Sequence, residues 1–183
     1  MTDALTDETL QALKGNNAEL FSAVYECYAG PVLGYLTAKG VPDPEALTQD
    51  VFLAVLPRLD DLSGGANGLR TFIFSVAHAR MVDEHRKQSR APEHHPFEPE
   101  RDTRESRSAE SEALGLLAPR EVMGLLDYLG NDQREVLALR IVAGLTVEQV
   151  ADVVGKTAGA VKQLQRRALL TLREQSAVKE YVS

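Results

Sequence analysis

The stretch "GLTVEQVADVVGKTAGAVKQLQRRALLTLRE", residues 144–174, has the spacing of a helix-turn-helix. A tight helix pair needs a small residue where the helices cross, and Ala151 stands there. It also needs a residue that tolerates a left-handed backbone at the turn, and Gly155 follows four residues later. Apolar side chains that would join the two helices recur at helical spacing: Val150, Val154, Val161 and Leu164.

The second helix of this pair is basic and free of acidic residues. From Lys156 to Arg173 there are five Lys or Arg and no Asp or Glu, although the whole chain has a formal net charge of -7. Its polar face would present Lys162, Gln163, Arg166 and Arg167. An α-helix fits the major groove, where Arg and Lys read guanine, Gln reads adenine and other cations bind phosphate. This pattern predicts DNA binding. The alternative is a solvated basic face, and Lys156, at a turn position where an apolar residue is usual, favours it.

The N-terminal part is predicted to be helical as well. Residues 9–40 read as two helices punctuated by Pro31 and Gly40, with Cys27 buried on the apolar face. Residues 43–59 begin with Asp43 as a cap and Pro44 at the first helical position. Residues 63–68, "SGGANG", are expected to form a flexible turn, after which a long helix runs to residue 90.

Residues 91–112 interrupt the helical pattern. They contain three Pro, seven acidic and three basic residues, with one large apolar side chain, Phe97. Such a segment buries too little surface to offset the cost of ordering, so we expect a flexible acidic linker. Residues 113–175 resume the helical pattern, with Asn131 as the expected cap of one helix. The sequence therefore predicts an all-α fold of two small helical domains, residues 1–90 and 113–183.

Composition excludes several functional classes. No run of about 18 apolar residues exists and the N-terminus lacks a secretory signal, so we expect a cytoplasmic protein without membrane insertion. One cysteine forms no internal disulfide, and His94 and His95 lack the further ligands of a metal site. No catalytic order of residues, phosphate loop or metal spacing is present, so neither an enzyme nor a cofactor is expected.

Charge is distributed unevenly along the chain. Residues 1–60 carry nine acidic and three basic residues, which suits a protein partner and would repel DNA. Residues 78–90 carry four basic and two acidic residues. Together with the helix of residues 156–173, this second basic stretch predicts two nucleic-acid contacts on an acidic body.

Three motifs in order give the chain a resemblance to group IV, or extracytoplasmic function, sigma factors of bacterial RNA polymerase. "LTQDVFLAVLPRL" resembles the polymerase-binding helix of that family, commonly D-L-x-Q-E/D-x-F. "LRTFIFSVAHARMVDEHRKQSR" resembles the promoter-melting helix, and residues 129–173 are similar to the C-terminal domain. The resemblance covers roughly residues 15–90 and 118–175.

The resemblance implies roles for particular residues. Helix 44–59 would bind the coiled coil of the largest polymerase subunit through Leu47, Gln49, Asp50 and Phe52. The -10 element would be held by His78, Arg80, Arg86, Lys87 and Arg90. The -35 element would be read by Thr157, Lys162, Gln163, Arg166 and Arg167. Implied partners are core RNA polymerase, including its flap, promoter DNA and, as is common in the family, an anti-sigma factor.

Four residues depart from the motifs of the family. Phe72 stands where Trp is common, Ala79 where Asn is frequent, Leu164 where Arg is frequent, and Gly130 where Pro is usual. These departures leave the expected fold intact and leave the promoter sequence open. The alternative function is a helix-turn-helix regulator that acts without polymerase, and it predicts an α/β receiver or ligand domain that residues 1–90 do not show.

Overall fold

The computed structural model describes residues 5–59, 63–90 and 124–182, and for Arg90 and residues 176–182 only the backbone. These ranges contain the following helices: α1 (Asp7–Leu13), α2 (Asn17–Ala38), α3 (Pro44–Val55), a 3-10 turn (Leu56–Arg58), α4 (Gly65–Arg90), α5 (Asn131–Ile141), α6 (Val147–Val154) and α7 (Ala158–Val182). Within them there is no strand, which confirms the all-α prediction. None of the helices in these ranges has the length and apolar character that crossing a bilayer requires.

Helix α2 passes through Pro31 without ending, which corrects the prediction of a break there. The break falls earlier, at Gly15, whose φ of 91° favours glycine. Proline in a helix costs about 3 kcal/mol. In α2 this cost is offset by an apolar face that continues on both sides of Pro31, where Val24 and Val32 are both fully buried. Cys27 is half-buried against the core rather than fully buried as predicted.

Helix α3 begins as predicted. The carboxylate of Asp43 accepts a hydrogen bond of 3.0 Å from the backbone N–H of Ala46, and Pro44 is the first helical residue. Proline is tolerated there because its missing N–H would have no partner inside the helix. The last residues of the predicted helix, Leu56–Arg58, form the tighter 3-10 turn.

Helix α4 begins inside the segment that was predicted to be a flexible turn. The Oδ1 atom of Asp7 accepts a hydrogen bond of 2.6 Å from the N–H of Ala66, so α1 supplies the cap of α4. A β-carbon on Gly65 would stand 2.2 Å from that same oxygen, and Gly65 has a φ of 62°. Glycine is therefore needed at this position for both space and conformation.

Helix α5 begins one residue earlier than predicted, because Gly130 takes the capping position and Asn131, the expected cap, is already helical. Gly130 has a φ of -63°, a value that proline also adopts, so its departure from the usual proline leaves the backbone unchanged. The guanidinium of Arg134 donates hydrogen bonds to the carbonyls of Leu126, Asp127 and Leu129, and so fixes the preceding turn.

The predicted helix-turn-helix is present in α6 and α7. Thr146 and Gln149 form a reciprocal capping box at the start of α6, which satisfies two backbone N–H groups there. Gly155 ends α6 in the left-handed conformation with a φ of 65° and a ψ of 32°. Ala151 is 7% exposed at the helix crossing. The sequence prediction of Ala151 and Gly155 is confirmed.

The N-terminal half (residues 5–59 and 63–90) and the C-terminal half (residues 124–182) are in contact. Helix α4 packs against α6, and α2 packs against α5. One continuous apolar core includes side chains from both halves, among them Leu36 and Val136. The predicted linker 91–112 lies outside the described residues, so the division into two domains remains a prediction.

Candidate nucleic-acid interface

The polar face of α7 is exposed as the sequence predicted. The side chains on this face that can reach a ligand are Lys162, Gln163, Arg166 and Arg167. The opposite face holds the helix in place, since Val161 and Ala168 are fully buried. The four polar residues are therefore displayed on a helix whose position is fixed by the core.

These four residues form two rows that border different surface grooves. Gln163 and Arg167 border a groove shared with Lys156 and Asp132, whose side chains pair at 3.2 Å. Lys162 and Arg166 border a second groove lined by two further cations, three apolar residues and one amide: Arg140, Arg173, Val147, Leu169, Leu170 and Gln165. The second groove has no acidic residue in its lining, so its local charge favours a phosphate.

Thr157, which was predicted to contact the -35 element, caps α7. Its hydroxyl accepts a hydrogen bond of 3.2 Å from the N–H of Ala160. Its side chain remains exposed, and a hydroxyl that accepts one bond still has a proton to donate. Thr157 can therefore cap α7 and at the same time donate a hydrogen bond to a phosphate.

The apolar residues that join α6 to α7 are only partly those predicted. Val150 and Val161 are fully buried, whereas Val154 and Leu164 are half-buried. Val153, which the sequence reading omitted, is 8% exposed. A closer account of the 3.6-residue period would have found it, because Val150 and Val153 are three residues apart on one face.

The end of α4 carries the second set of cations. Arg80, Arg86 and Lys87 are exposed. Arg86 lies 3.7 Å from Asp83, the surface pair that its i, i+3 spacing predicts, and Lys87 lies 3.7 Å from Glu84. Such exposed pairs are weak and leave the cations available to DNA. The side chain of Arg90 lies outside the described residues.

Two aromatic residues earlier on α4 have different surroundings. Phe74 is fully buried and packs edge-on against Tyr35 at a centroid distance of 6.0 Å. Phe72 is half-buried and lines a shallow groove with Thr71, Ser75 and Gln149. Phe74 is therefore a core residue, whereas Phe72 has one side at a surface where a base could stack.

His78, assigned by the sequence to the -10 element, faces the C-terminal half. Its Nδ1 atom lies 2.9 Å from Oε1 of Glu135 on α5, and its side chain is 20% exposed. The hydroxyl of Tyr35 donates to the same carboxylate oxygen at 3.1 Å. Because a carboxylate accepts only, Nδ1 of His78 must carry the proton of the shorter contact. The structure therefore does not bring the residues predicted for the -10 element into one site. The cations Arg80, Arg86 and Lys87 face solvent, whereas His78 is bonded to Glu135.

Glu135 is the buried acidic centre of this contact, with 8% of its surface exposed. Burial disfavours its charge, but the hydrogen bond from His78 and the charge of Lys39 outweigh burial, so the pKa of Glu135 is lowered. Burial also lowers the pKa of Lys39, although Glu135 attracts its charge. The 3.9 Å separation of Lys39 and Glu135 is long, and we regard His78 as the principal partner. Burial, followed by the charge of Glu135, raises the pKa of Tyr35, so its hydroxyl keeps its proton.

The predicted polymerase-binding residues divide between surface and core. Gln49 and Asp50 are exposed on α3. Leu47 and Phe52 are 8% and 2% exposed, so these two side chains hold α3 in the core and offer no contact surface. We therefore reassign Leu47 and Phe52 to packing, because a motif read without coordinates does not separate the two faces of a helix.

Exposed apolar residues beside Gln49 and Asp50 were missed. Leu53 is 68% exposed, and Leu56 and Tyr25 are each 39% exposed. Leu53 stands four residues after Gln49, and Leu56 three residues after Leu53, so helical spacing alone would have placed them together. No group of three His, Cys, Asp or Glu side chains that could hold a metal occurs in residues 5–59, 63–90 and 124–182.

Comparison with known proteins agrees with these motifs. The family model "Sigma-70, region 4" matches residues 125–174. The ECF RNA polymerase sigma factor BldN of Streptomyces coelicolor is 29% identical over 174 residues, which cover 90% of this chain and 63% of BldN. The solved structure of CnrH in complex with the cytosolic domain of CnrY has a TM-score of 0.61 at 22% identity, covers all of both chains, and shares the fold.

A second relative is closer in sequence. The ECF RNA polymerase sigma factor ShbA of Streptomyces griseus is 34% identical over 136 residues, which cover 70% of this chain and 69% of ShbA. The chain spans less than two thirds of BldN and more than two thirds of ShbA. On this likeness, together with the helix-turn-helix and the two basic helices, the chain belongs to the ECF RNA polymerase sigma factors.

Proposed function

We propose that this protein is a group IV sigma factor that binds core RNA polymerase and directs transcription from promoters with -35 and -10 elements. The observation that carries the proposal is the exposed polar face of α7, which is free of acidic residues up to Arg173 and follows a left-handed glycine turn in a member of this family. A helix displayed in this way fits a major groove and carries the residue types that read base edges.

The N-terminal half supplies the polymerase contact in this proposal. Gln49 and Asp50 are exposed on α3, and the large apolar side chain of Leu53 lies next to them. An exposed apolar patch bordered by charge is typical of a protein interface, and the acidic excess of residues 1–60 suits a basic partner. We assign this surface to the coiled coil of the largest subunit.

The end of α4 supplies the -10 contact. Arg80, Arg86 and Lys87 would hold phosphates, and Phe72 offers an aromatic surface for an unstacked base. Further proposed partners are the polymerase flap and an anti-sigma factor, since CnrH was solved with CnrY. The work of such a protein would take place in the cytoplasm, in two domains joined by residues 91–112.

Run-off transcription with purified core polymerase tests the proposal. Transcripts that start at a defined set of genomic promoters only when the protein is added would support it. Replacing Arg167 by Ala on α7 should reduce transcription from the same promoters. The control is Glu8→Gln, an exposed residue on α1 that is remote in sequence, and it should not reduce transcription. Specific DNA binding without any transcript would instead identify a helix-turn-helix regulator that acts without polymerase.

A further inference from the structure

The start of α4 is capped by a residue from another helix. Helix α4 begins at Gly65 and follows Gly64, so neither residue has the side-chain oxygen with which Ser, Thr, Asp or Asn usually caps a helix. Instead, Oδ1 of Asp7 on α1, 59 residues earlier in the chain, accepts a hydrogen bond of 2.6 Å from the N–H of Ala66. Ala66 is the second residue of α4, a position to which an ordinary capping side chain bonds. Asp7 therefore replaces the local cap that α4 lacks.

Helix α1 has few other means of holding its place. It is seven residues long, and none of its residues is buried. Leu10 and Leu13 are half-buried against the core, and Leu5, just before the helix, is 7% exposed. A helix this short is unstable by itself, so its position depends on these leucines and on the bond from Asp7. That bond thus sets α1 and the first turn of α4 against each other.

The chain doubles back tightly where α4 begins. The N–H of Gly68 donates to the carbonyl of Gly64 at 3.0 Å. A β-carbon on Gly68 would stand 2.5 Å from the carbonyl oxygen of Ser63, so the turn lies directly against the helix. A shift of the first turn of α4 would therefore carry Ser63 and Asn67 with it.

The same turn forms one end of the groove beside Phe72. The residues of the N-terminal half that line this groove include Ser63, Asn67, Thr71, Phe72 and Ser75, and we refer to it as the Phe72 groove. Ser63 also lines the cavity beside α1 that Asp7 borders. The turn thus separates Asp7 from the Phe72 groove by the thickness of one backbone segment.

The polar groups of the Phe72 groove differ in what they can offer a base. The hydroxyls of Thr71 and Ser75 donate to the carbonyls of Asn67 and Thr71, at 2.9 Å and 2.8 Å, so towards a ligand they have only lone pairs left. The side-chain amide of Asn67 has both donors and an acceptor. An aromatic side chain with an amide beside it can stack a base and read its edge. Asn67 is therefore the lining residue of α4 best suited to distinguish bases.

We propose that Asp7 is a positioning residue for base recognition at the -10 element, because by capping α4 from α1 it fixes the direction of Asn67 at the Phe72 groove. This inference rests on the proposed function. A site that is ordered before binding loses less entropy when the ligand arrives, so it binds and discriminates better. Asp7 acts through Asn67 and contacts no base itself.

Three substitutions separate the cap from the charge of α1. Asp7→Ala removes the cap, whereas Asp7→Asn retains a side-chain oxygen that can accept the bond from Ala66. The matched control is Glu8→Ala, since Glu8 is the other acidic residue in the first turn of α1 and is equally exposed. Each change affects an exposed side chain, so the fold should be retained, which circular dichroism verifies.

The measurement uses each full-length variant assembled with core polymerase. Its affinity is determined for single-stranded oligonucleotides from the -10 element of a promoter identified by run-off transcription, with each of the four bases at each position. Asp7→Ala should reduce the base preference at one position by about fivefold. Asp7→Asn should stay within about twofold of the unaltered protein, because the cap is kept. Glu8→Ala should not change the preference, and affinity for a -35 duplex should be the same for all variants.

A double substitution tests whether Asp7 acts through Asn67. Asn67→Ala should remove the preference at the same position, and Asp7→Ala should then reduce it no further, because both changes disturb one contact. Independent losses at two different positions would contradict this order of action.

The remaining outcomes separate the two proposals. A base preference that survives Asp7→Ala, or an equal fall in affinity for every oligonucleotide, would overturn the positioning role, since the second result is what a loss of stability alone produces. If the unaltered protein gives no transcript with core polymerase, the proposed function falls and this inference falls with it. The two failures are distinguishable, because the first is seen only with a protein that transcribes.

Discussion

The Nδ1 atom of His78 on α4 lies 2.9 Å from Oε1 of Glu135 on α5, in a contact that is nearly closed to water. It joins a helix of the N-terminal half to the first buried residue of α5. Because Tyr35 donates to the same oxygen, one carboxylate is satisfied from two helices of the other half. This carboxylate is therefore one of the groups that fix the position of the two halves, beside the apolar core that they share.

Replacing Tyr35 by Phe should lower the free energy of unfolding by about 1–2 kcal/mol, since a fully buried hydroxyl that donates to a carboxylate is lost. The control is Tyr25→Phe on the same helix, whose side chain is 39% exposed and should change the free energy of unfolding by less than about 0.5 kcal/mol. Urea unfolding followed by circular dichroism measures both. Equal effects of the two substitutions would show that the hydroxyl of Tyr35 contributes nothing to the contact.

Glu135 should make stability depend on acid pH. Its pKa is lowered below the ordinary 4.5, because the hydrogen bond from His78 and the charge of Lys39 exceed the effect of burial. The folded protein therefore binds this proton less readily than the unfolded chain. The stabilisation is present above the ordinary pKa and is lost as the pH falls through the lowered one. The groups that face the carboxylate are Tyr35, Lys39 and His78.

The measurement is the free energy of unfolding between about pH 5 and pH 3, compared with that of Glu135→Gln. The unaltered protein should be the more stable at the upper end, and the difference should shrink as the solution is acidified. A difference that stays constant or grows on acidification would mean that the carboxylate is not held in its charged form.

Local signals in the sequence predicted the helices but not the contact between the N-terminal and C-terminal halves. Ala151 and Gly155 fix the helix-turn-helix through spacing and backbone conformation alone, and both are where the sequence placed them. Pro31 was misread because local helix rules do not include the buried face that α2 shares with the core. Glu135 reads as an ordinary polar residue, since one of its partners, Tyr35, is 100 residues away.

Reversing the charge at Asp50 should weaken binding to core polymerase if α3 forms the proposed contact. The Asp50→Lys variant changes an exposed side chain, so the fold should be unaffected, whereas a charge reversal within an interface costs several kcal/mol. The control is Glu148→Lys, an equal charge change at an exposed position on α6. Affinity for core polymerase measured at moderate salt should fall only for Asp50→Lys. An unaltered affinity of this variant would remove Asp50 from the contact.

The residues of α7 should divide into those that read bases and those that bind phosphate. Lys162 and Gln163 lie nearer the start of α7, the end that enters a major groove deepest, so we assign them to base edges. Further along, we assign Arg166 to the groove wall and Arg167 to phosphate. Both Gln163 and Arg167 are exposed, so neither substitution should disturb the core.

Replacing Gln163 by Ala should then change sequence preference at the -35 element, with a loss of discrimination of about 1–3 kcal/mol. Replacing Arg167 by Ala should weaken binding to all sequences alike and reduce the slope of log affinity against log salt by about one. Binding to a panel of -35 duplexes at several salt concentrations distinguishes these effects. The reverse pattern, with Arg167→Ala altering preference and Gln163→Ala silent, would exchange the two roles. If neither variant changed DNA binding, Gln163 and Arg167 would make no DNA contact, and the polar face of α7 would be a solvated surface.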